Sequence, residues 1–196
     1  MISPPQAMNT LLTLTFVKIN VFLPSCVYKI NMDIILITGS PGAGKTSISN
    51  ALSEFFRISQ VHHIVIDPDE IARIYPEDSL RQLKLDGLES LYQLYAELSV
   101  EKIIIPMTID SDADLDNVQA IFGKENVKVI NLIVDENTLI RRVVKREPNE
   151  HWQITLSNLV KAYVRNESAR SYSRIDIDAN DKSIPELVKE ICANTV

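Results

Sequence analysis

Glycine is scarce in this chain. Only five occur in 196 residues, and three of them, Gly39, Gly42 and Gly44, fall between positions 39 and 44. The other two, Gly87 and Gly123, stand alone. Glycine is therefore concentrated where a backbone must bend tightly and approach a ligand without a side chain in the way. Cysteine is rarer still. Cys26 and Cys192 sit near opposite ends of the chain, which excludes a disulfide framework and reads as two free thiols in a reducing compartment, the cytoplasm. Histidine is nearly as sparse, and His62 and His63 are adjacent on a predicted strand. Their side chains point to opposite faces, so they do not close on one metal ion. No apolar run approaches the ~20 residues of a transmembrane helix. Basic residues are outnumbered, 20 against 26 acidic, for a formal charge of −6. That balance offers no general attraction to nucleic acid or to an anionic membrane, while leaving room for a local basic pocket. The length fits one domain.

Gly39-Ser40-Pro41-Gly42-Ala43-Gly44-Lys45-Thr46 matches G-x-x-x-x-G-K-[ST], the Walker A pattern. Its flanks supply the required context. Before it, Ile34-Ile35-Leu36-Ile37 is a continuous apolar run, as in a strand buried on both faces. After it, Ile48, Ala51, Leu52 and Phe55 recur on one face of a helix. In that order the loop N–H groups and the helix N-terminus face an anion together. Lys45 reaches outer phosphates and the Thr46 hydroxyl ligates magnesium. The residues expected to contact a nucleotide are thus Gly39, Ser40, Pro41, Gly42, Ala43, Gly44, Lys45, Thr46 and Ser47.

Four further strands are expected. His62 to Asp67 is the second, ending in Asp67-Pro68-Asp69-Glu70, where a proline and two acids open a helix. Asp67 is either the cap of that helix or a functional acid at a strand tip, where active sites of open α/β sheets lie. Ser79 to Leu98 carries a long helical pattern whose tyrosines read as packing. Lys102 to Pro106 is the third strand and Asp112 to Phe122 a helix ending near Gly123. Val127 to Val134 is the fourth, with Asp135 capping a helix over 136–146 that Pro148 stops. In that helix Arg142 and Arg146 share one flank of the buried stripe, and Arg141 and Lys145 share the solvated one. Leu156 to Glu167 is a further helix, Arg174 to Asp178 the fifth strand, and Ser183 to Glu186 a capping box opening the last helix. Five strands, each joined to the next through helix, imply a three-layer α/β fold with a parallel sheet.

From Met32 to Val196 the chain resembles the small P-loop kinases: adenylate-kinase-like, shikimate- and gluconate-kinase-like, chloramphenicol-phosphotransferase-like and polynucleotide-kinase-like enzymes. The matching residues are the Walker A loop, Ile64-Val65-Ile66-Asp67 followed by Asp69-Glu70-Ile71, the arginine helix Leu139 to Arg146 with Glu147, and the strand Ile175 to Asp178. The resemblance implies a sheet in the order 2-3-1-4-5, a lid over about 146–171, and transfer of the γ-phosphoryl of ATP to a hydroxyl or phosphate of a small molecule, with magnesium. By position it makes Lys45, Asp67, Arg142 and Arg146 the catalytic set, with Thr46 and Asp67 at the metal. Arg165, Arg170 and Arg174 are weaker candidates for charge neutralisation, and Ala179 to Lys182 lie near the adenine. Two departures stand out. The third strand ends Ile105-Pro106-Met107-Thr108, with no acid before Asp110, and the lid has no zinc-ligand cysteines.

The alternative is a P-loop ATPase that regulates without a phosphate acceptor. Asn-Lys-x-Asp, Asp-x-x-Gly after a strand and Leu-Ser-Gly-Gly are all absent, and the chain is short for a ring-forming ATPase module with its helical domain. Residues 1–31 are expected to be a non-essential extension, from a start assigned too far upstream, or a short extra strand.

Overall fold

The computed structural model describes residues 32–71, 80–96 and 98–195. The extension over 1–31, Cys26, Arg73 and Tyr75 lie outside the described residues. Five strands are present: β1 (Asp33–Thr38), β2 (His63–Val65), β3 (Lys102–Pro106), β4 (Val127–Ile133) and β5 (Ile175–Asp178). All pair in parallel, in the order β2-β3-β1-β4-β5, as the resemblance implied.

The strand sequences explain the layering. Alternate residues of β1 point to opposite faces, and both faces are covered by helices. On one face Ile35, Ile37, Ile130 and Leu132 pack against α1 (Lys45–Ile58), α5 (Glu136–Arg146), α6 (Glu150–Arg165) and α7 (Ile184–Thr195). On the other, Ile34, Leu36, Ile103 and Ile105 pack against α3 (Leu80–Ala96) and α4 (Asp112–Phe122). Central strands buried on both sides have no polar face to show, hence their continuous apolar runs. Tyr92 packs edge-on against Phe122 at 4.9 Å, the packing role expected of that tyrosine.

Most element limits follow the pattern of apolar residues, and α6 is the exception. It starts at Glu150 and not near Leu156, because Asn149 caps it, its side chain accepting from His151 N at 2.8 Å. The first turns are largely exposed, so the apolar stripe begins later than the helix does. Most of the expected lid segment is therefore helix, and His151 and Trp152 sit exposed in its first turn. The cap of α7 also differs in one bond. Glu186 accepts from Ser183 N at 2.8 Å, but the Ser183 hydroxyl donates to the same carboxylate at 2.6 Å.

A short helix, α2 (Pro68–Ile71), follows β2. It is held against α3 at a glycine. A Cβ on Gly87 would stand 2.5 Å from Cγ2 of Ile71, so only glycine admits this approach. Gly87, isolated in the sequence, thereby sets where the acids of α2 stand relative to Lys84 of α3.

Candidate active site

The loop between β1 and α1 wraps the N-terminus of α1. Gly42 has φ +85°, and a Cβ there would meet the Leu139 carbonyl oxygen at 3.0 Å and Val143 Cγ2 at 3.2 Å. The loop is thus seated directly on α5. Gly44, at φ +99°, is the N-cap of α1, and Ile48 N bonds to its carbonyl at 2.9 Å. The opening N–H groups of α1 lack intrahelical partners and point out of this turn.

Lys45 Nζ lies against the loop itself, donating to the Gly39 carbonyl at 2.9 Å and the Ser40 carbonyl at 3.2 Å. Burial lowers its pKa to about 8, against the pull of Asp69 and Asp110. An ammonium so placed is poised to exchange carbonyl oxygens for phosphate oxygens. The Ser40 hydroxyl is buried with no partner among the described residues.

Thr46 Oγ1 donates to Asp67 Oδ2 at 3.4 Å, and Asp67 Oδ1 accepts from Asp69 N at 3.0 Å. Asp67 is therefore both a helix cap and a partner of the loop threonine, so the two readings of the sequence coexist. Burial pushes its carboxyl above the usual aspartate range. Thr46 and Asp67 present hard oxygens side by side. That donor set fits magnesium, which keeps several waters and is held by one or two protein oxygens plus phosphates.

On the α5 side, a cavity of about 310 Å³ is lined by Gly42, Gly44, Ser47, Arg142, Arg146 and Lys182. Arg142 Nη1 donates to the Gly42 carbonyl at 3.4 Å, and Arg146 Nε to Glu147 Oε1 at 2.7 Å. Arg141 instead turns to Thr138 on the solvated side, and Lys145 is exposed, as expected. Ala179 also lines this cavity, on the side expected for the base.

Beyond the tip of β3 a second space opens. Asp69, Arg81, Lys84, Thr108 and Asp110 line a cleft of about 310 Å³. It continues, past Thr108 and Asp110, into one of about 340 Å³ walled by Pro41, Leu159, Tyr163 and Arg170. Lys84 is ion-paired to Asp69, and Arg81 to Asp114. Thr108 Oγ1 reaches the Gly39 carbonyl at 3.4 Å, joining this cleft to the loop.

Sequence reasoning missed Asp69 as a site residue, because an acid in a helix's first turn also fits the helix dipole. Its spacing from Asp67, two residues apart at one strand tip, was the available signal. Arg170 is not exposed like most arginines but buried, its guanidinium 3.8 Å from the Tyr163 ring centroid. Arg165 is exposed at the end of α6, and Arg174 pairs with Asp176 and Glu167. Among the described residues, no helix is long and apolar enough to cross a membrane.

A parallel 2-3-1-4-5 sheet with a glycine loop over the first helix is the fold of the P-loop NTPases of the small kinase type. The chain belongs to the family described as the AAA domain, which matches residues 35–172. A shikimate kinase of Bacillus cereus (strain AH187) is 28% identical over 168 residues, covering 82% of this chain and 96% of that protein. A gluconokinase from Sinorhizobium meliloti 1021 superposes with a TM-score of 0.61 at 16% identity, over 85% of this chain and 92% of its own. A shikimate kinase from Bacteroides thetaiotaomicron gives 0.58 at 19% identity, over 83% and 98%.

Proposed function

We propose that the protein is an ATP-dependent phosphotransferase that moves the γ-phosphoryl group to a hydroxyl or phosphate of a small molecule. The observation that carries this reading is the acceptor-sized cleft beside the loop, with Asp69 at its edge. A regulatory ATPase has no need of such a space, whereas a kinase must place a second substrate in line with the phosphate. The kinase names of the relatives support the same reading.

The residues divide as follows. Gly39 to Ser47 cradle the nucleotide phosphates, and Lys45 leaves the loop carbonyls for phosphate oxygens. Thr46 and Asp67 hold magnesium, which when bound neutralises charge on the β- and γ-phosphates. Asp69, held by Lys84, accepts the proton of the attacking hydroxyl. Of the two acids, the base is then Asp69 and not Asp67, the acid expected in the catalytic set: Asp67 is engaged with Thr46, and Asp69 faces the cleft. Arg142 and Arg146 stabilise the transferring phosphoryl. Residues 146–171 act as the lid, with α6 as its body.

The test is ADP formation with magnesium against a panel of nucleosides, nucleotides, sugars and hydroxy acids. One acceptor raising ADP formation well above background is the expected result. Magnesium-dependent hydrolysis that no acceptor stimulates would sustain the ATPase reading instead.

A further inference from the structure

An apolar groove of about 500 Å³ lies between α1 and α7, walled by Phe55, Ile58, Ile184, Val188 and Cys192. Phe55 is 43% exposed, Ile58 70% and Ile184 45%. Single apolar residues scattered over a surface need no account, but contiguous ones mark a surface that something covers.

The position of the groove indicates what covers it. β1 begins at Asp33, whose carboxylate pairs with Lys102 Nζ at 2.8 Å. That ammonium stands 6.0 Å from the Phe56 ring centroid, and the Phe55 ring is 5.9 Å from that of Phe56. On the α7 side, Lys102 is close enough to act electrostatically on the Cys192 thiol. Near its end, the Thr195 carbonyl accepts from Lys128 Nζ of β4 at 2.8 Å. The last turns of α1 and α7 thus come down beside the start of β1. The chain enters β1 from residues 1–31, which lie outside the described residues. Within them, residues 11–23 are apolar except for Thr13, Thr15, Lys18 and Asn20.

We propose that residues 11–23 of this same chain fill the α1–α7 groove. The reach suffices. Extended, residues 24–31 span up to ~27 Å, against the ~12 Å that Ala51 to Ile58 cover along α1. Tethering also decides between this segment and a second copy. A short tether holds the segment near the groove at an effective concentration on the order of millimolar, which a second copy at micromolar concentration does not match. Docking gives the extension a function that a non-essential segment lacks: it withdraws two apolar surfaces from water at once. It is independent of whether the protein transfers phosphate.

The full chain tests this with two reciprocal readouts. Alkylation of Cys192 by iodoacetamide, followed by peptide mass, reports the groove. Trypsin cleavage after Lys18 reports the segment. Both reactions need the undocked state, so their rates follow its population. Leu14→Asp, Phe16→Asp and Ile19→Asp together are expected to speed Cys192 alkylation about tenfold or more. Phe55→Gln with Ile58→Gln is expected to speed cleavage after Lys18 by a similar factor. Each variant is read at the partner it does not alter, so a purely local disturbance moves neither readout. Should either combined variant fail to fold, Phe16→Asp alone and Ile58→Gln alone give the same two comparisons. Equal Cys192 rates in wild type and the segment variant overturn the proposal. So does cleavage after Lys18 that the groove variant leaves unchanged, whether slow, with the segment held elsewhere such as at a sheet edge, or fast, with the segment free. Cys192 protection that grows with protein concentration and survives the segment variant assigns the groove to a second copy and overturns it as well.

Discussion

The Thr46 hydroxyl and the Asp67 carboxylate meet at 3.4 Å across the gap between α1 and the tip of β2. They are 21 residues apart in the chain, and each arrives from a different βα unit. Asp69 shares the second unit but turns to Lys84 instead. The two acids therefore differ in what their loss removes.

Asp67→Asn should raise the magnesium concentration needed for half-maximal turnover while retaining measurable transfer at saturating metal. Asp69→Asn should leave the magnesium requirement unchanged and lower turnover by about 10²–10⁴-fold. Magnesium titrations of steady-state ADP formation check both. Swapped phenotypes would return the base to Asp67.

Lys45 links nucleotide binding to protons. With a pKa near 8 in the free protein, it is about half protonated at pH 8. Phosphates at its ammonium raise that pKa, so binding at pH 8 should take up about half a proton. Calorimetry in buffers of differing ionisation enthalpy reads this directly, and Lys45→Ala should abolish the uptake. The folding linkage has a definite sign. The folded pKa lies below the unfolded value of 10.5, so the unfolded chain holds more protons between pH 8 and 10.5. The Lys45 contribution to stability therefore improves as pH rises through that window.

Arg142→Ala and Arg146→Ala should each lose turnover by about 10²-fold with a smaller change in ATP affinity. Arg141→Ala, on the solvated flank, should stay within about twofold of wild type. Equal turnover in all three would assign the first two to the solvated surface as well.

Gly87→Ala sets two effects against each other. Alanine favours the helix by about 1 kcal/mol, but its Cβ collides with Ile71 Cγ2 at 2.5 Å, and overpacking costs about 1–3 kcal/mol. The collision should win, giving net destabilisation and a displaced α2. In an Ile71→Ala background the same change should be neutral or stabilising. A double-mutant cycle by urea unfolding reads the difference.

The sheet was legible because burial on both faces leaves unbroken runs such as Ile34 to Ile37, which only a central parallel strand explains. The phosphate loop was legible because its residues are contiguous. The clefts beyond the tip of β3 were harder to read for the opposite reason. Asp69, Lys84, Asp110 and Arg170 come from four separate segments, and nothing in their neighbours marks them as convergent. Arg170 stood only among the weaker candidates, since its burial depends on the Tyr163 ring folding over it. The start of α6 escaped the apolar pattern because Glu150 to Ile154 bury little, and the cap at Asn149 was the local sign.

Gly42 against Leu139 and Val143 has one more consequence. The helix that carries Arg142 and Arg146 is also the floor on which the phosphate loop rests. The loop backbone and the backbone of that helix are thus packed together directly, so little main-chain freedom is left between them to lose on binding. Downstream of Arg146 the helical hydrogen bonding runs only as far as Glu147 N on the Val143 carbonyl, and it resumes with Gln153 N on the Asn149 carbonyl, so the break between the two helices falls at Pro148.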